Sequence, residues 1–182
     1  RDNCTLTVRR VPLSDHQTQP VRVVIDSKLS LLKNEQETFA MFHDGLETIV
    51  YCSQESLDEC KNTILNNDSV TLVPLPFNHR KELLSITDIV QDLKDNKDIH
   101  HVMVEGGPVT ARLFLQAQLV DRAILIKAPV VFSKPVASHI SNSTLKEAGL
   151  VLLGTTLSDG DVIEYWSRPG LAWPTENVDD WP

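Results

Sequence analysis

The sequence predicts an α/β protein with a mixed, mainly parallel sheet flanked by helices and a C-terminal antiparallel hairpin. Three observations lead to this fold class. Short β-rich runs alternate with helical patterns over the first two thirds of the chain, and two more β-rich runs follow each other near its end. Residues 101–132 read as a strand, a glycine turn, a helix and a second strand. Strands joined in this way usually pair in parallel through a right-handed crossover.

Hydrophobic periodicity places the elements of the first half. Thr5, Thr7 and Arg9 alternate with Leu6 and Val8, which predicts a short first strand. The apolar runs that follow Arg9 are continuous, which is typical of buried strands. Ser85 precedes a strongly amphipathic pattern, which is typical of the start of a helix. Further strands are predicted at 21–26, 48–52 and 70–75, and helices at 56–66 and from Ser85 to Leu93.

The central unit comes next. Val102 and Val104 indicate a buried strand, and a helix is predicted to begin at Pro108, where proline's missing N–H has no helical partner to lose. A second strand is predicted at 123–128, and strands at 150–155 and 161–166 form the predicted hairpin.

The turn between the first strand and the helix has the sequence Glu105-Gly106-Gly107. Glycines let a ligand approach the backbone closely, and the helix that follows offers free N–H groups and the positive end of its dipole. This combination is typical of a site for phosphate or diphosphate. The same three residues also suit a plain tight turn. A carboxylate beside a phosphate needs its own task, such as a hydrogen bond to a hydroxyl or amine, or else is a solvated strand-end acid.

Composition narrows the class of partner. The chain has 182 residues, of which 41% are hydrophobic and 23% charged, and its formal net charge is −8. The length and composition predict one globular domain, placed at 1–167. Residues 168–182, with three prolines and two tryptophans, are predicted to form an extended tail. The negative charge argues against nucleic acid as a partner, and no apolar run is long enough to span a membrane.

Cysteine and histidine usage predicts neither disulfides nor a metal site. Cys4, Cys52 and Cys60 are too scattered for either purpose, and the neighbours His100 and His101 would face opposite sides of a strand. Reduced thiols indicate an intracellular compartment, cytoplasm or plastid. Because the chain starts without a methionine, we expect it to be part of a longer polypeptide.

Four blocks carry a family resemblance. They are Asp2-Asn3 with Leu6-Thr7-Val8-Arg9, the run Val21 to Ser27, Val104-Glu105-Gly106-Gly107, and Leu119-Val120-Asp121 through Ala128-Pro129. Residues 1–166 therefore resemble the reductase domain of riboflavin biosynthesis, which is related in fold to dihydrofolate reductase. That family uses NADPH to reduce the ribosyl group of a phosphorylated aminopyrimidine to a ribityl chain. The resemblance further implies an upstream strand and cofactor loop, a homodimer, and in fused members a pyrimidine deaminase.

The resemblance also implies a site. Asp2 would lie near the nicotinamide and, with Glu105, is a candidate catalytic proton donor. Leu6 and Arg9 would contact the substrate, Arg9 through its phosphate, and Glu105 would hold substrate polar groups. No metal is implied. The implied cofactor-binding residues are Asp2, Ser27, Gly107, Pro108, Val109, Thr110, Ala111, Arg112 and Leu113.

Residue chemistry alone leaves alternatives open. Arg9 offers a planar fork to phosphate oxygens but also suits a surface arginine, Asp2 suits a turn, and Ser27 suits a local backbone hydrogen bond. Two other functions therefore stand beside the reductase. One is a non-catalytic domain that serves as the structural partner of a pyrimidine deaminase. The other is a different nucleotide-binding α/β enzyme.

Overall fold

The structure is a computed structural model that describes residues 3–14, 17–33, 39–60, 67–78, 83–131, 133–134, 138 and 140–171. The chain divides into two compact units, 1–98 and 99–182. Parallel strands form the sheet of the first unit and antiparallel strands that of the second, which confirms a mixed α/β fold.

The first unit is built on a three-stranded parallel sheet in the order β1-β2-β3. The central strand β2 is buried along its whole length because a parallel sheet is covered on both faces. The elements are β1 (Arg22–Ile25), α1 (Ser30–Lys33), a 3₁₀ helix (Ala40–Phe42), β2 (Thr48–Ser53), α2 (Gln54–Cys60), β3 (Val70–Leu75), the antiparallel pair β4 (Phe77–Asn78) and β5 (Leu83–Leu84), and α3 (Ile86–Lys97).

Two features hold this unit together. A buried cluster on one side of the sheet contains Leu29, Met41, Phe42, Val50, Cys52 and Cys60. The buried guanidinium of Arg22 donates to both carboxylate oxygens of Asp44, at 2.6 and 2.7 Å, and to the carbonyl oxygens of Thr5, Met41 and Leu46. A single side chain therefore ties the N-terminal segment and the turn before β2 to the first strand.

The second unit is built on a three-stranded antiparallel sheet in the order β6-β8-β7. One face packs on a core of Leu115, Leu145, Ala148, Leu150 and Trp166. The predicted C-terminal hairpin is confirmed, and its turn at Asp159-Gly160 takes positive φ at both residues, as a tight two-residue hairpin requires. The elements are α4 (Pro108–Gln116), β6 (Arg122–Lys127), α5 (Asn142–Glu147), β7 (Val151–Ser158) and β8 (Asp161–Ser167).

The strand predicted at Thr5–Arg9 was wrong, because this segment has no regular structure. Leu6 and Arg10 take φ values of 48° and 64°, which an extended strand does not allow. The backbone N–H and C=O of Val8 bind the side chain of Gln19 instead of a neighbouring strand.

The strand predicted at Val102 and Val104 was also wrong. Residues 101–107 are exposed and form no strand, and in the described part of the chain nothing pairs with them. The parallel pairing expected between this segment and the next strand is therefore not formed, because β6 pairs antiparallel with β8. An apolar run needs a hydrogen-bonding neighbour as well as its hydrophobicity to become a strand.

The described residues contain no helix long and apolar enough to cross a membrane. Nor do they contain a group of three or more His, Cys, Asp or Glu side chains placed to hold a metal ion.

Candidate functional site

The glycine turn of the second unit leads directly into α4. Gly107 is the residue before the helix, with φ −62° and ψ 175°, and Pro108 occupies the first helical position. No side chain caps this end with a hydrogen bond in the described residues. The amide of Ala111 is bonded to the carbonyl of Gly107 at 3.1 Å. The amides of Val109 and Thr110 therefore precede the first helical hydrogen bond and point toward any group that approaches this end.

The two glycines of the turn have different reasons to be glycine. A Cβ on Gly106 would lie 2.7 Å from Cβ and 2.8 Å from Cγ2 of Thr110, so the fold itself requires the missing side chain. A Cβ on Gly107 would meet nothing within 4 Å. The turn therefore has open space at Gly107 and none at Gly106.

The other predicted residues of this unit lie around the same helix end. Glu105, Val109 and Arg112 are exposed, whereas Thr110, Ala111, Leu113 and Pro108 are half-buried. The following residues Phe114 and Leu115 are buried and hold the helix on the core. The exposed members of the predicted set are thus Glu105 and Gly107 in the turn, together with Val109 and Arg112 in the helix.

Ser27 lies in the first unit, just beyond the carboxyl end of β1. Its carbonyl oxygen accepts the backbone N–H of Ser53 at 3.0 Å, which places it beside the end of β2. Ends of this kind are where open α/β sheets bind ligands. Ser27 is half-buried and its neighbour Lys28 is exposed.

A cavity of about 480 Å³ opens at this edge, at the ends of β2 and β3. Ser53 caps α2, because its Oγ accepts the N–H of Ser56 at 3.1 Å. The residues that line this cavity were not among the predicted site residues. The polar pair Ser53-Gln54 at the end of a buried strand could have indicated the cavity from the sequence. The lining residues are Ser53, Gln54, Glu55, Pro74, Leu75, Pro76 and Phe77.

Two of the three predicted substrate-binding residues, Leu6 and Arg9, lie in the N-terminal segment of the first unit, and the third, Glu105, lies in the second unit. Leu6 is half-buried against the core cluster that contains Leu29, and its backbone is left-handed. Arg9 is exposed. Asp2 lies outside the described residues.

Charged and polar groups near Ser27 are fixed by burial and hydrogen bonding. The carboxylate of Asp26 is buried and accepts the hydroxyl of Ser30 and the N–H of Leu31, at 3.0 and 2.8 Å. Burial, and after it the charge of Asp26, raises the pKa of the Cys52 thiol to about 11. Cys52 is therefore a protonated, structural thiol at neutral pH.

The fold defines the class, an α/β protein with a parallel sheet in its first unit and an antiparallel sheet in its second. A family model described as the RibD C-terminal domain matches residues 1–154. The chain therefore belongs to the RibD C-terminal domain family, which confirms the resemblance in the sequence.

Individual relatives agree with the family match. The chain is 29% identical over 134 residues to the riboflavin biosynthesis protein RibD of Aquifex aeolicus, covering 74% of this chain and 33% of that protein. The chain thus spans about one third of the length of this curated relative.

Three solved structures share the fold. A diaminohydroxyphosphoribosylaminopyrimidine deaminase/5-amino-6-(5-phosphoribosylamino)uracil reductase from Thermotoga maritima has a TM-score of 0.65 at 20% identity, covering 92% of this chain and 42% of that one. RibD of Acinetobacter baumannii has a TM-score of 0.60 at 18% identity, with 91% and 43% covered. The riboflavin biosynthesis reductase Rib7 of Saccharomyces cerevisiae has a TM-score of 0.57 at 19% identity, with 82% and 65% covered.

Proposed function

We propose that this chain is the reductase part of a riboflavin biosynthesis enzyme of the 5-amino-6-(5-phosphoribosylamino)uracil reductase type. The reaction is the NADPH-dependent reduction of a ribosyl group to a ribityl chain. Family membership implies the reaction, and the open, uncapped helix end at Gly107 is the single observation in this chain that carries it.

The residues present fit a nicotinamide dinucleotide. Its diphosphate would be held by the turn at Gly107 and the amides of Val109 and Thr110, with the positive end of α4 behind them. Ser27 would donate or accept a hydrogen bond with a hydroxyl of the cofactor. When bound, the reduced nicotinamide supplies a hydride. NADPH rather than NADH is the form that the family resemblance implies.

The protein's part in the reaction is to bind, orient and protonate. The exposed guanidinium of Arg9 would take the substrate phosphate, and Leu6 would pack beside it. Glu105 would hold polar groups of the aminopyrimidine, and Asp2 or Glu105 would supply the proton that follows hydride addition. Holding donor and acceptor in line accounts for most of the rate gain expected in such a site.

Partners and location follow from the same proposal. We propose that the reductase domain covers residues 1–167 of a longer, intracellular polypeptide, that it works as a homodimer, and that a pyrimidine deaminase domain is fused to it. The relative from Thermotoga maritima joins the two activities in its name, and the chain covers 42% of that protein.

Gly107→Ala tests the proposal. The added methyl group meets no protein atom and the backbone at 107 is extended, so we expect the melting temperature to stay unchanged. The methyl group would stand where the diphosphate approaches, so affinity for NADPH should fall about tenfold, or 1.4 kcal/mol. NADPH fluorescence titration measures binding, and oxidation of NADPH with the phosphoribosylaminopyrimidine measures turnover.

Each outcome separates the candidate functions. NADPH binding without any turnover, even after the upstream strand and cofactor loop are restored, would indicate the non-catalytic partner of a deaminase. Binding of another nucleotide, with no response to the aminopyrimidine, would indicate a different nucleotide-binding enzyme. Unchanged NADPH affinity in Gly107→Ala would remove the diphosphate site from this turn.

A further inference from the structure

We propose that the buried carboxylate of Asp26 is a positioning residue for the cofactor: it closes the turn after β1 and thereby fixes Ser27 at the sheet edge. This inference rests on the proposed function, since it assigns Ser27 to the same cofactor.

Both the backbone and the side chain of Asp26 form hydrogen bonds at this turn. The backbone N–H of Asp26 donates to the carbonyl of Tyr51, and its carbonyl accepts the N–H of Leu29, both at 3.0 Å. Its side chain, only 8% exposed, accepts the hydroxyl of Ser30 with one oxygen and the N–H of Leu31 with the other. Residues 27 and 28 are therefore the tip of a turn that is closed by three hydrogen bonds to Asp26, while a fourth ties Asp26 to β2.

The turn also contains strained backbone. Leu29 takes a φ of 52°, in the left-handed region that favours glycine. Its side chain is fully buried in the core cluster with Phe42 and Val50. A leucine persists in this conformation only when the surroundings determine it, and burial of the side chain together with the bonds to Asp26 does so. Strain of this kind collects at ligand sites, where it holds a group in advance of binding.

The carboxylate acts through Ser27 and not by touching the cofactor. Both of its oxygens already accept hydrogen bonds from within the turn. A carboxylate that faced a diphosphate would repel it. The carboxylate of Asp26 instead forms its hydrogen bonds with donors of its own turn. Ser27 in turn is fixed on its other side, because its carbonyl accepts the N–H of Ser53.

Three variants at the turn test the proposal, and their readout is the dissociation constant of NADPH from fluorescence titration. Asp26→Ala removes both side-chain bonds, and we expect about a tenfold rise, the same as for Ser27→Ala. Asp26→Asn retains one carbonyl oxygen for Leu31, so its rise should be clearly smaller. In turnover assays the KM for NADPH should rise while kcat at saturating NADPH stays within about twofold.

Asp44→Ala is the matched control. Like Asp26, Asp44 accepts a hydrogen bond from a nearby backbone N–H, that of Leu46. Unlike Asp26, it lies in the turn before β2 and accepts hydrogen bonds from Arg22. It should lower the melting temperature and leave the dissociation constant of NADPH unchanged.

Failure of the Asp26 inference and failure of the proposed function give different results. An unchanged dissociation constant in Asp26→Asn and Asp26→Ala would overturn the inference, as would a rise in Asp26→Ala without one in Ser27→Ala. If Asp26→Ala does not fold, the constant measured for Asp26→Asn against Ser27→Ala decides. Failure of the proposed function would show elsewhere, as no NADPH binding by the unaltered chain.

Discussion

At the scale of single residues, Gly106 has a steric reason to be glycine, whereas Gly107 is the residue proposed to face the cofactor. Gly106→Ala places a methyl carbon 2.7 Å from Cβ of Thr110, a distance that forces the backbone to shift. We expect the free energy of unfolding to fall by about 1–3 kcal/mol, as overpacking usually costs. Urea denaturation measures this loss.

The double variant Gly106→Ala with Thr110→Ala checks the cause. It removes the contacts to Cγ2 and Oγ1 of Thr110 but keeps the shorter one to Cβ, so it should recover only part of the loss. If Gly106→Ala were as stable as the unaltered chain, the steric reason for glycine at 106 would be wrong.

At the scale of elements, the sequence was most informative where hydrophobic pattern and end signals agreed. The structure confirms the predicted strands at 21–26, 48–52 and 70–75 and the helix after Ser85. The predicted boundaries agree within one residue, except that the helix continues to Lys97. Ser85 caps that helix as its pattern indicated, since its Oγ accepts the N–H of Asp88 at 3.3 Å. Short-range chemistry decides such elements, so the sequence contains what is needed to predict them.

Long-range geometry could not be predicted in the same way. Val102 and Val104 have the pattern of a strand, but pairing depends on a neighbour that a local pattern does not specify. The same limit applies to the site: nothing local to Ser27 indicates that Ser53 donates to its carbonyl. The glycine turn and its helix were predictable because cap, proline and amides lie within five positions of each other.

The short helix α5 gives the prediction at this scale. Ser141 caps it reciprocally with Thr144: its Oγ accepts the N–H of Thr144, and its own N–H donates to the Thr144 hydroxyl, both at 3.3 Å. The helix carries Leu145 into the core beside Trp166. Ser141→Ala should therefore cost about 1 kcal/mol of unfolding free energy in urea denaturation.

Ser141→Asn is the conservative control, because asparagine caps helices as well as serine does and should retain most of the stability. An equal loss in both variants would mean that residue 141 stabilises the second unit by packing and not by capping.

At the scale of the whole molecule, each unit contains a carboxyl group whose pKa is lowered by hydrogen bonds in the folded state. Hydrogen bonds from Arg22 lower the pKa of Asp44 in the first unit. Hydrogen bonds from Lys127 and then Trp166 lower the pKa of Glu164 in the second. A carboxyl whose pKa is lower in the folded state stabilises the fold above its unfolded pKa and loses this contribution as pH falls through the folded value.

We therefore expect the urea midpoint of the whole chain to fall as pH drops below about 4, the ordinary range of these carboxyls. Repulsion among positive charges also grows at this pH. The acidic side chains become protonated and no longer balance the 17 Lys and Arg and the 6 His. The two causes can be separated. Asp44→Asn should be less stable by about 2 kcal/mol at pH 7, the value of a hydrogen bond to a charged group. Its stability should then fall less steeply with acid than that of the unaltered chain. Repulsion alone predicts equal slopes, and equal slopes in urea series at pH 7, 4 and 3 would remove Asp44 as a cause of acid sensitivity.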